Sequence, residues 1–497
     1  MTQLTEKKTP PPERTGYDPH TPPALVSFML KDWKAPPAKL PSKLPNAGTY
    51  AARRKALSAL FPGELLVIPT GHEKVRSNDT LYRFRPASDF FYLTGNVEPD
   101  CVLVMEPVGD GHRSLLFVEP NPGRSDATFF TDRAKGELWV GPRLGIAQSR
   151  ARYGVDDARG LPELPAFLEA GKGQPFRLLR GFAPAADALL DKRPQDQAFA
   201  TALAEMRLYK DKLEIAALQE AVDATQRGFE DVIAALRGAT SEREVEGVFS
   251  LRARTEGNDV GYGTIAASGR HACILHWNRN DGALLPGDLL LLDAGVEGSS
   301  LYTADITRTL PMNGKFTKEQ RQIYDLVAAA QAAGFAEVKP GNDFLDPNRA
   351  AMRVLATGLE RLGILPTSAE EALREENQFY RRYSLHNVSH MLGLDVHDCA
   401  QARQEVYKLG KLKPGMVLTV EPGLYFQVDD LTVPRRYRGI GVRIEDDVVV
   451  TRTGMKNLSG KIPRTSAEVE AWMARIWAAR RGKPRHAGRP STVDRRR

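Results

Sequence analysis

Long apolar runs are missing from this sequence of 497 residues. No stretch approaches the roughly 20 consecutive apolar residues that a membrane-spanning helix needs. The N-terminal stretch MTQLTEKKTPPPERTGYDPHTPP also lacks the apolar segment of a secretory signal. Both absences favour a cytoplasmic protein that does not act on a membrane.

Cysteine is scarce as well. The chain holds Cys101, Cys273 and Cys399, and their odd number and wide spacing argue against a disulfide framework. Reduced cysteines of this kind are typical of cytoplasmic proteins. We expect Cys273 and Cys399 to be small core residues.

Residues 1–479 carry no net charge, so the net positive charge of the chain lies in its C-terminal tail. The tail from Arg480 onward carries eight basic residues and one acidic residue, so it accounts for the whole net charge of +7. This short basic tail is predicted to be disordered. Because the rest of the chain carries no net charge, no nucleic-acid partner is expected.

Proline content and hydrophobic patterns divide the chain into four regions. Residues 1–47 are rich in proline and are predicted to form an extended arm. Residues 48–205 are predicted to form an α/β domain, residues 206–479 a second α/β domain, and residues 480–497 the basic tail.

Local patterns predict the main elements of both domains. Four segments of the first domain have the composition of strands: LLVIP, FFYLTG, CVLVMEP and SLLFVEP. The second domain is predicted to open with a single charged helix, EMRLYKDKLEIAALQEAVDATQRGFEDVIAAL. A later helix begins at TKEQ, where Thr317 and Gln320 form a predicted capping box.

Histidine is also rare, yet three of the nine histidines lie within HNVSHMLGLDVHD, residues 386–398. His386 and His390 have the i, i+4 spacing of the zinc motif H-E-x-x-H, but Asn387 stands where that motif has its glutamate. The residues alone leave three interpretations open. The segment could be a zinc site, a protease motif without its base, or one part of a metal site whose other ligands lie elsewhere.

Four carboxylates occupy positions where apolar neighbours predict burial. They are Asp293, Asp305, Glu421 and Glu445, each in or beside a strand-like segment. A buried carboxylate is costly unless it has a partner such as an arginine, backbone donors or a metal ion. Together with the histidines they form an oxygen-rich set without thiolates, which suits manganese, cobalt or zinc in a paired site.

Each carboxylate alone also has a simpler interpretation. Two of them precede Ala-Gly or Pro-Gly, where turn residues are common. Asp305 could pair with Arg308, and Glu445 could share an exposed strand face with Arg443. Spacing alone does not decide between these roles and a shared metal site.

Five ordered segments resemble one known family. LLLLDAGVEGSSLYTADITRTLP, HNVSHMLGLDVHD, VLTVEPGLYF, GIGVRIEDDVVVT and SGRHACILHWNRN are similar to motifs of the Xaa-Pro aminopeptidase (aminopeptidase P) and prolidase family. RSNDTLYRFRPASDFFYLTG and ELWVGPRLG resemble the N-terminal domain of aminopeptidase P. The resemblance covers roughly residues 48–475. It implies a creatinase/prolidase-like α/β domain followed by a C-terminal pita-bread metallopeptidase domain of α+β type.

The resemblance also implies two divalent metal ions per subunit, of manganese, with cobalt or zinc as alternatives. By analogy, Asp293 binds one ion, Asp305 and Glu445 bridge both, and His390 and Glu421 hold the other. A hydroxide between the ions would attack the peptide carbonyl.

Further catalytic residues follow from the same resemblance. Glu421 would carry the proton of the nucleophile, and Arg443 would orient Glu445 and neighbouring acidic groups. The remaining predicted residues would line the pocket, bind substrate and stabilise the tetrahedral intermediate: His276, His386 and His397, with Tyr425 as a further candidate for the pocket wall. Simpler alternatives are a turn position for His397 and packing beside Trp277 for His276. Asn387 departs from the glycine that family members frequently have there.

The leading hypothesis is a metal-dependent exopeptidase that releases the N-terminal residue from peptides with proline in second position. Prolidase, which cuts Xaa-Pro dipeptides, shares the metal motifs and is the nearest alternative, although the N-terminal segments favour aminopeptidase P. A pita-bread domain that serves as a non-catalytic binding module is a third alternative, which the complete ligand set disfavours. The resemblance also implies a homo-oligomer, either a dimer or a tetramer.

Overall fold

A computed structural model describes residues 21–34 and 39–481 of the chain. Most of the basic tail, predicted to be disordered, and parts of the proline-rich extension, predicted to be extended, lie outside the described residues. The chain folds as two compact units that divide between Phe199 and Ala200. In the described part of the chain, no helix is both long and apolar enough to cross a lipid bilayer.

The first unit is built on a mixed five-stranded sheet. The strands of this unit are β1 Leu65–Pro69, β2 Val75–Ser77, β3 Thr80–Leu81, β4 Val102–Val108, β5 Gly111–Val118, β6 Asp157–Gly160 and β7 Phe176–Leu178. The sheet has the order β6-β5-β4-β1-β7. Its outer pairs, β5 with β6 and β1 with β7, are parallel, and the inner pairs are antiparallel. The helices are α1 Pro23–Met29, α2 Ala47–Leu60, α3 Ser88–Thr94, α4 Thr128–Thr131, α5 Glu137–Val140, α6 Ile146–Tyr153, α7 Leu164–Gly171 and α8 Pro184–Leu189.

Two sequence predictions for this unit are wrong. The segment FFYLTG is not a strand but the end of α3, which stops at Gly95 in the left-handed conformation that glycine tolerates best. A continuous apolar run fits a fully buried helix as well as a strand, and Phe90 to Thr94 are all buried. Within the predicted extended arm, α1 forms a short helix that begins at a proline, a residue well suited to the first helical turn.

The second unit carries seven α-helices, including the longest of the described chain. They are α9 Pro194–Arg207, which spans the division between the units, α10 Lys212–Ala235, α11 Glu242–Glu256, α12 Lys318–Glu337, α13 Asp346–Arg361, α14 Ala369–Leu373 and α15 Ser466–Arg481. The predicted single charged helix is therefore two helices. Asp211 starts α10 by accepting hydrogen bonds from Leu213 N and Glu214 N, so the chain breaks between α9 and α10. At α12 the predicted capping box is confirmed, since Thr317 and Gln320 cap each other's backbone.

The strands of the second unit form small antiparallel sheets. They are β8 Asp259–Val260, β9 Ile265–Ser268, β10 Leu289–Ala294, β11 Val296–Glu297, β12 Ile306–Pro311, β13 Val417–Val420, β14 Gly423–Tyr425, β15 Gly441–Arg443, β16 Asp446–Val450 and β17 Met455–Asn457. The three-stranded sheets have the orders β12-β10-β9 and β13-β16-β17, while β14 pairs with β15 and β8 with β11.

An apolar core lies beneath the second of these sheets. Leu418 and Val420 of β13 and Val448 of β16 are fully buried and belong to one cluster with Met391 and Phe335. Burying a side chain of this size contributes about 1.5–3 kcal/mol. The cluster therefore fixes β13 and the neighbouring histidine segment as one rigid support. All three cysteines are buried and free, in agreement with the sequence.

Candidate metal centre

Strand pairing in the second unit brings three predicted carboxylates together. Asp293 lies near the end of β10, opposite Thr307 of β12. Asp305 directly precedes β12, and Glu445 directly precedes β16. The Glu445 amide donates a 3.1 Å hydrogen bond to the Thr307 carbonyl, which joins the two sheets at this point.

The histidine segment lies alongside β13. The Thr419 amide donates to the His390 carbonyl at 3.0 Å, and the Glu421 amide donates to the Val388 carbonyl at 2.8 Å. Residues 386–398 contain no helix, so the i, i+4 histidine pair does not form a helical zinc motif. The backbone instead brings His390 beside both Asp305 and Glu421, and His386 beside Glu421.

The ligand atoms of Asp305, His390 and Glu445 converge to within 4.8 Å of one another. His390 Nε2 lies 3.2 Å from Asp305 Oδ2 and 3.5 Å from Glu421 Oε1. Glu445 and Asp305 are almost completely buried, at 2% and 4% exposure, and Asp293 at 7% is little more exposed. The structure therefore brings all five predicted ligands into one buried region.

Tyr262 joins this region and was missed by the sequence analysis. Its hydroxyl lies 2.6 Å from Asp293 Oδ1 and 2.5 Å from Asp305 Oδ1. The available signal was its position between Gly261 and Gly263. A Cβ at Gly261 would clash with the side chain of Thr303, so that glycine is needed to bring the backbone close.

Arg443 directly binds Asp293, one of the acidic groups near Glu445, and reaches Glu445 itself only indirectly. Its Nη2 donates to Asp293 Oδ2 at 2.5 Å, and its Nε donates to the Thr307 hydroxyl at 3.2 Å. That hydroxyl donates to Glu445 Oε2 at 2.7 Å, so Arg443 reaches Glu445 only through Thr307. The reason is that β15 ends at Arg443 and β16 begins after Glu445, so the two residues do not lie on one continuous strand face.

The simpler partner proposed for Asp305 is also excluded. Arg308 is fully buried and donates from Nη2 to Asp446 Oδ1 at 2.8 Å and from Nε to the Pro463 carbonyl at 2.7 Å. It points to the opposite side of β12, because successive strand residues alternate and Asp305 and Arg308 differ by an odd number of positions. Asp305 is thus available to the cluster.

Burial and crowding of like charges set the protonation of the carboxylates. Burial raises the pKa of Glu445 well above its usual range, and the charges of Asp305 and Glu421 raise it further. Burial also raises the pKa of Glu421 to about 7. Opposing burial, the hydrogen bond with Asp305 and the charge of Glu421 raise the pKa of His390 to about 9. Crowded carboxylates with raised pKa values favour the binding of a multivalent cation, because the cation can neutralise their charge in place of protons.

The three other predicted histidines, His276, His386 and His397, line one cavity of about 600 Å³ together with the ligand side chains. The ring of His397 lies edge-on to that of His390, with 4.3 Å between their centroids. His386 Nδ1 lies 3.5 Å from Glu421 Oε2. His397 does lie in a turn, as its simpler interpretation has it, and lines the cavity from there, while the ring of Trp277 stacks on His271.

Tyr425 lies behind the cavity wall instead of forming it. Its hydroxyl is 2.7 Å from His386 Nε2 and accepts a 3.0 Å hydrogen bond from Arg443 Nη1. Burial raises the pKa of Tyr425 to about 12, so the hydroxyl stays protonated at neutral pH. Tyr425 therefore orients His386 and Arg443, while other residues form the surface that a substrate meets.

Comparison with known proteins supports a peptidase site. The model of metallopeptidase family M24 matches residues 216–452, and the model of the aminopeptidase P N-terminal domain matches residues 50–176. Xaa-Pro aminopeptidase 1 of Streptomyces coelicolor is 51% identical over 468 residues, which cover 93% of this chain and 94% of that protein.

Solved structures give the same result for the fold. Aminopeptidase PepP of Pseudomonas aeruginosa is 34% identical with a TM-score of 0.78, covering 88% of this chain and 99% of that one. Zinc-substituted aminopeptidase P of Escherichia coli, in complex with product, is 35% identical with a TM-score of 0.78 and the same coverage. Both similarities extend over the two units and the candidate metal centre.

Proposed function

The chain belongs to metallopeptidase family M24, with an aminopeptidase P N-terminal domain and a pita-bread catalytic domain, and from this premise we propose how its side chains hydrolyse peptides. Its function is that of an Xaa-Pro aminopeptidase, a hydrolase that removes the residue before a proline. The prolidase and binding-module alternatives are set aside by these similarities. The fold class predicted from the sequence is confirmed.

The convergence of Asp305, His390 and Glu445 is the observation that carries the proposed site. Oxygen donors with one imidazole nitrogen and no thiolate fit manganese, with cobalt or zinc as alternatives. We assign two divalent ions to the set formed by Asp293, Asp305, His390, Glu421 and Glu445. Asp305, His390 and Glu445 would form the core of this ligand set, since their ligand atoms lie within 4.8 Å of one another. When bound, such ions supply a water activated for attack and polarise the scissile carbonyl.

Glu421 is placed to move the proton of hydrolysis. Its carboxylate lies 3.5 Å from both His390 Nε2 and His386 Nδ1 and can accept a proton from the attacking water and return it to the leaving nitrogen. The water oxygen bonds to the carbonyl carbon, and the proton passes to the prolyl nitrogen as the C–N bond breaks. His386 lies beside Glu421, with Nδ1 at 3.5 Å from Oε2 and at 2.9 Å from the Asn387 carbonyl.

The other histidines act on the substrate. His276 and His397 face the cavity from different loops and carry ring N–H groups that can donate to the substrate carbonyl and to the oxyanion formed from it. Burial and the charge of Arg443 lower the pKa of His386 to about 4, so this ring is neutral at pH 7. Arg443 and Tyr262 hold the ligand carboxylates in place through hydrogen bonds.

Specificity for proline requires a pocket that accepts a tertiary amide. The prolyl peptide bond lacks an N–H, so a site that demands this donor rejects it, whereas a cavity lined by Ile265, Leu275 and Val396 can accept the ring. We propose that the free amino group of the substrate binds at the metal end of the cavity. This arrangement limits cleavage to the first peptide bond.

A substrate comparison tests this function. The protein loaded with Mn²⁺ should cleave the tripeptide Ala-Pro-Ala between alanine and proline and release free alanine. Cleavage of the dipeptide Ala-Pro without cleavage of the tripeptide would contradict the proposal. A matched control is Ala-Ala-Ala, which should be cleaved more slowly.

Assembly and location belong to the same proposal. Members of the family commonly form dimers or tetramers, so we propose a homo-oligomer, which sedimentation velocity of the full chain would test. Three free, buried cysteines support a reducing compartment such as the cytoplasm.

A further inference from the structure

Two buried carboxylates outside the metal centre hold the loops that carry pocket histidines. Glu242 binds the loop of His276, and Asp398 directly follows His397. We propose that Glu242 and Asp398 are positioning residues, one for His276 and the other for His397. This inference rests on the proposed function, since it assumes that both histidines act on the substrate.

Glu242 is the first residue of α11 and has no exposed surface. Its two carboxylate oxygens accept hydrogen bonds from four donors on a single loop. The donors are Ser268 N at 2.7 Å, His271 Nδ1 at 2.9 Å, Trp277 Nε1 at 2.8 Å and Gly282 N at 2.7 Å. Bonds to a charged acceptor are about twice as strong as neutral ones, so this carboxylate fixes both ends of the loop and its middle.

The middle of the loop is where the link to His276 lies. Trp277 is the next residue, and its ring stacks on His271 with 3.9 Å between centroids and an angle of 25°. Both rings donate to Glu242, so neither can rotate without losing a hydrogen bond to a buried charge. The direction in which His276 enters the cavity is thereby set from outside the cavity.

Asp398 is held equally firmly on the other side of the pocket. Its Oδ2 accepts from Lys210 Nζ at 2.8 Å, its Oδ1 accepts from Arg207, and its amide donates to the Met391 carbonyl at 2.9 Å. Asp398 and Lys210 are each 1% exposed at the side chain. A Cβ at Gly393 would overlap the carboxylate, so the loop packs directly against this ion cluster.

The position of the Asp398 ion cluster explains why it affects the geometry of the loop that carries His397. Lys210 lies in the break between α9 and α10, and a buried ion pair adds little net stability compared with apolar packing. It does restrict the loop, because any shift of Asp398 would leave a buried charge unpaired. His397 directly precedes Asp398 in the chain, and its ring contacts the ring of His390. Neither Glu242 nor Asp398 is among the described residues that line the cavity.

Double-mutant cycles on the metal-loaded enzyme test the proposal. In Glu242→Gln, an amide N–H group faces the N–H groups of Trp277 and Gly282, so donor meets donor and hydrogen bonds are lost. In Asp398→Asn, an amide N–H group faces the ammonium group of Lys210 in the same way. Each should lower kcat for Ala-Pro-Ala about 10- to 100-fold, the range expected from a displacement of about 1 Å. The KM should change less than threefold and the metal content should stay unchanged.

Comparison of each substitution in the two histidine backgrounds separates a positioning role from a general loss of folded structure. In a His276→Ala background Glu242→Gln should lower kcat no further than about threefold, while in a His397→Ala background it should keep its full effect. Asp398→Asn should show the opposite pattern. Matched controls are Glu244→Gln, an exposed residue on the same turn of α11, and Asp395→Asn, the partly exposed second partner of Arg207. Both controls should stay within threefold of the parent enzyme.

Several results would overturn the inference. Equal effects in both histidine backgrounds, or no effect of the single substitutions, would show that the carboxylates only support the fold. If either substitution prevents folding, Glu242→Asp or Asp398→Glu keeps the charge and moves it by one methylene, and unchanged kcat in a folded variant of this kind contradicts the proposal. If His276→Ala and His397→Ala themselves leave kcat unchanged, the proposed function fails instead.

Discussion

Arg443 Nη2 donates a hydrogen bond of 2.5 Å to Oδ2 of Asp293, across 150 positions of sequence. Both side chains are buried, so the guanidinium lowers the cost of keeping the carboxylate charged and fixes its orientation, with Oδ1 toward the Tyr262 hydroxyl. The planar guanidinium also donates to Thr307 and Tyr425, and the single ammonium group of a lysine cannot orient the carboxylate in this way.

Arg443→Lys should therefore weaken metal binding even though it retains the positive charge. Loss of a residue that orients ligands typically lowers metal affinity about 10- to 100-fold. Titration of the metal-free variant with Mn²⁺ by calorimetry measures this change. An affinity equal to that of the parent protein would show that the charge alone matters.

Tyr262→Phe removes one hydroxyl that serves two ligand carboxylates. Metal affinity should fall about 10- to 100-fold, while the unfolding free energy of the metal-free protein should change by only about 1–3 kcal/mol. Calorimetric titration and chemical denaturation give the two values. A large loss of stability with unchanged affinity would assign Tyr262 to the fold alone.

Metal binding should release protons. In the metal-free protein at pH 7, burial has raised the pKa of Glu445 and Glu421, and His390 has a pKa of about 9, so these groups carry protons that ligands must lose. Affinity should accordingly increase as pH rises from 6 toward about 9. Calorimetry in buffers of different ionisation enthalpy counts the protons, and binding without release would contradict this charge state.

The histidines should divide into two classes. His390→Ala should lose bound metal because its ring lies among the carboxylates, with Nε2 at 3.2 Å from Asp305. His386→Ala and His397→Ala should slow turnover while metal content stays near that of the parent enzyme. Elemental analysis after dialysis gives the contents, and equal metal loss in all three variants would remove the distinction.

Much of this site could be predicted because its ligands interrupt apolar strands. Asp293 ends the run LLLL, and Glu421 ends the run VLTV, so both stood out as carboxylates that burial would penalise. The capping box at Thr317 was equally readable, since it depends on residues three positions apart. Local patterns thus located the ligands and the helix start.

What the sequence could not supply was the geometry between segments. The two hydrogen bonds of Tyr262 depend on how the loop before β9 meets β10 and β12, and no spacing encodes that approach. The sequence did not single out Asp293 as the direct partner of Arg443 for the same reason, because a break between β15 and β16 is not visible as a pattern. The FFYLTG helix was missed because a short, fully buried apolar run has no period that distinguishes helix from strand.

We propose that buried carboxylates of the catalytic unit, Glu445 among them, hold the catalytic metal ions. The most direct test is the metal content of Glu445→Ala, determined together with its hydrolysis of Ala-Pro-Ala under Mn²⁺. We expect two metal ions per chain in the parent enzyme, and fewer than two in the variant together with loss of tripeptide cleavage. A variant that keeps both ions and cleaves the tripeptide at the parent rate would contradict this proposal.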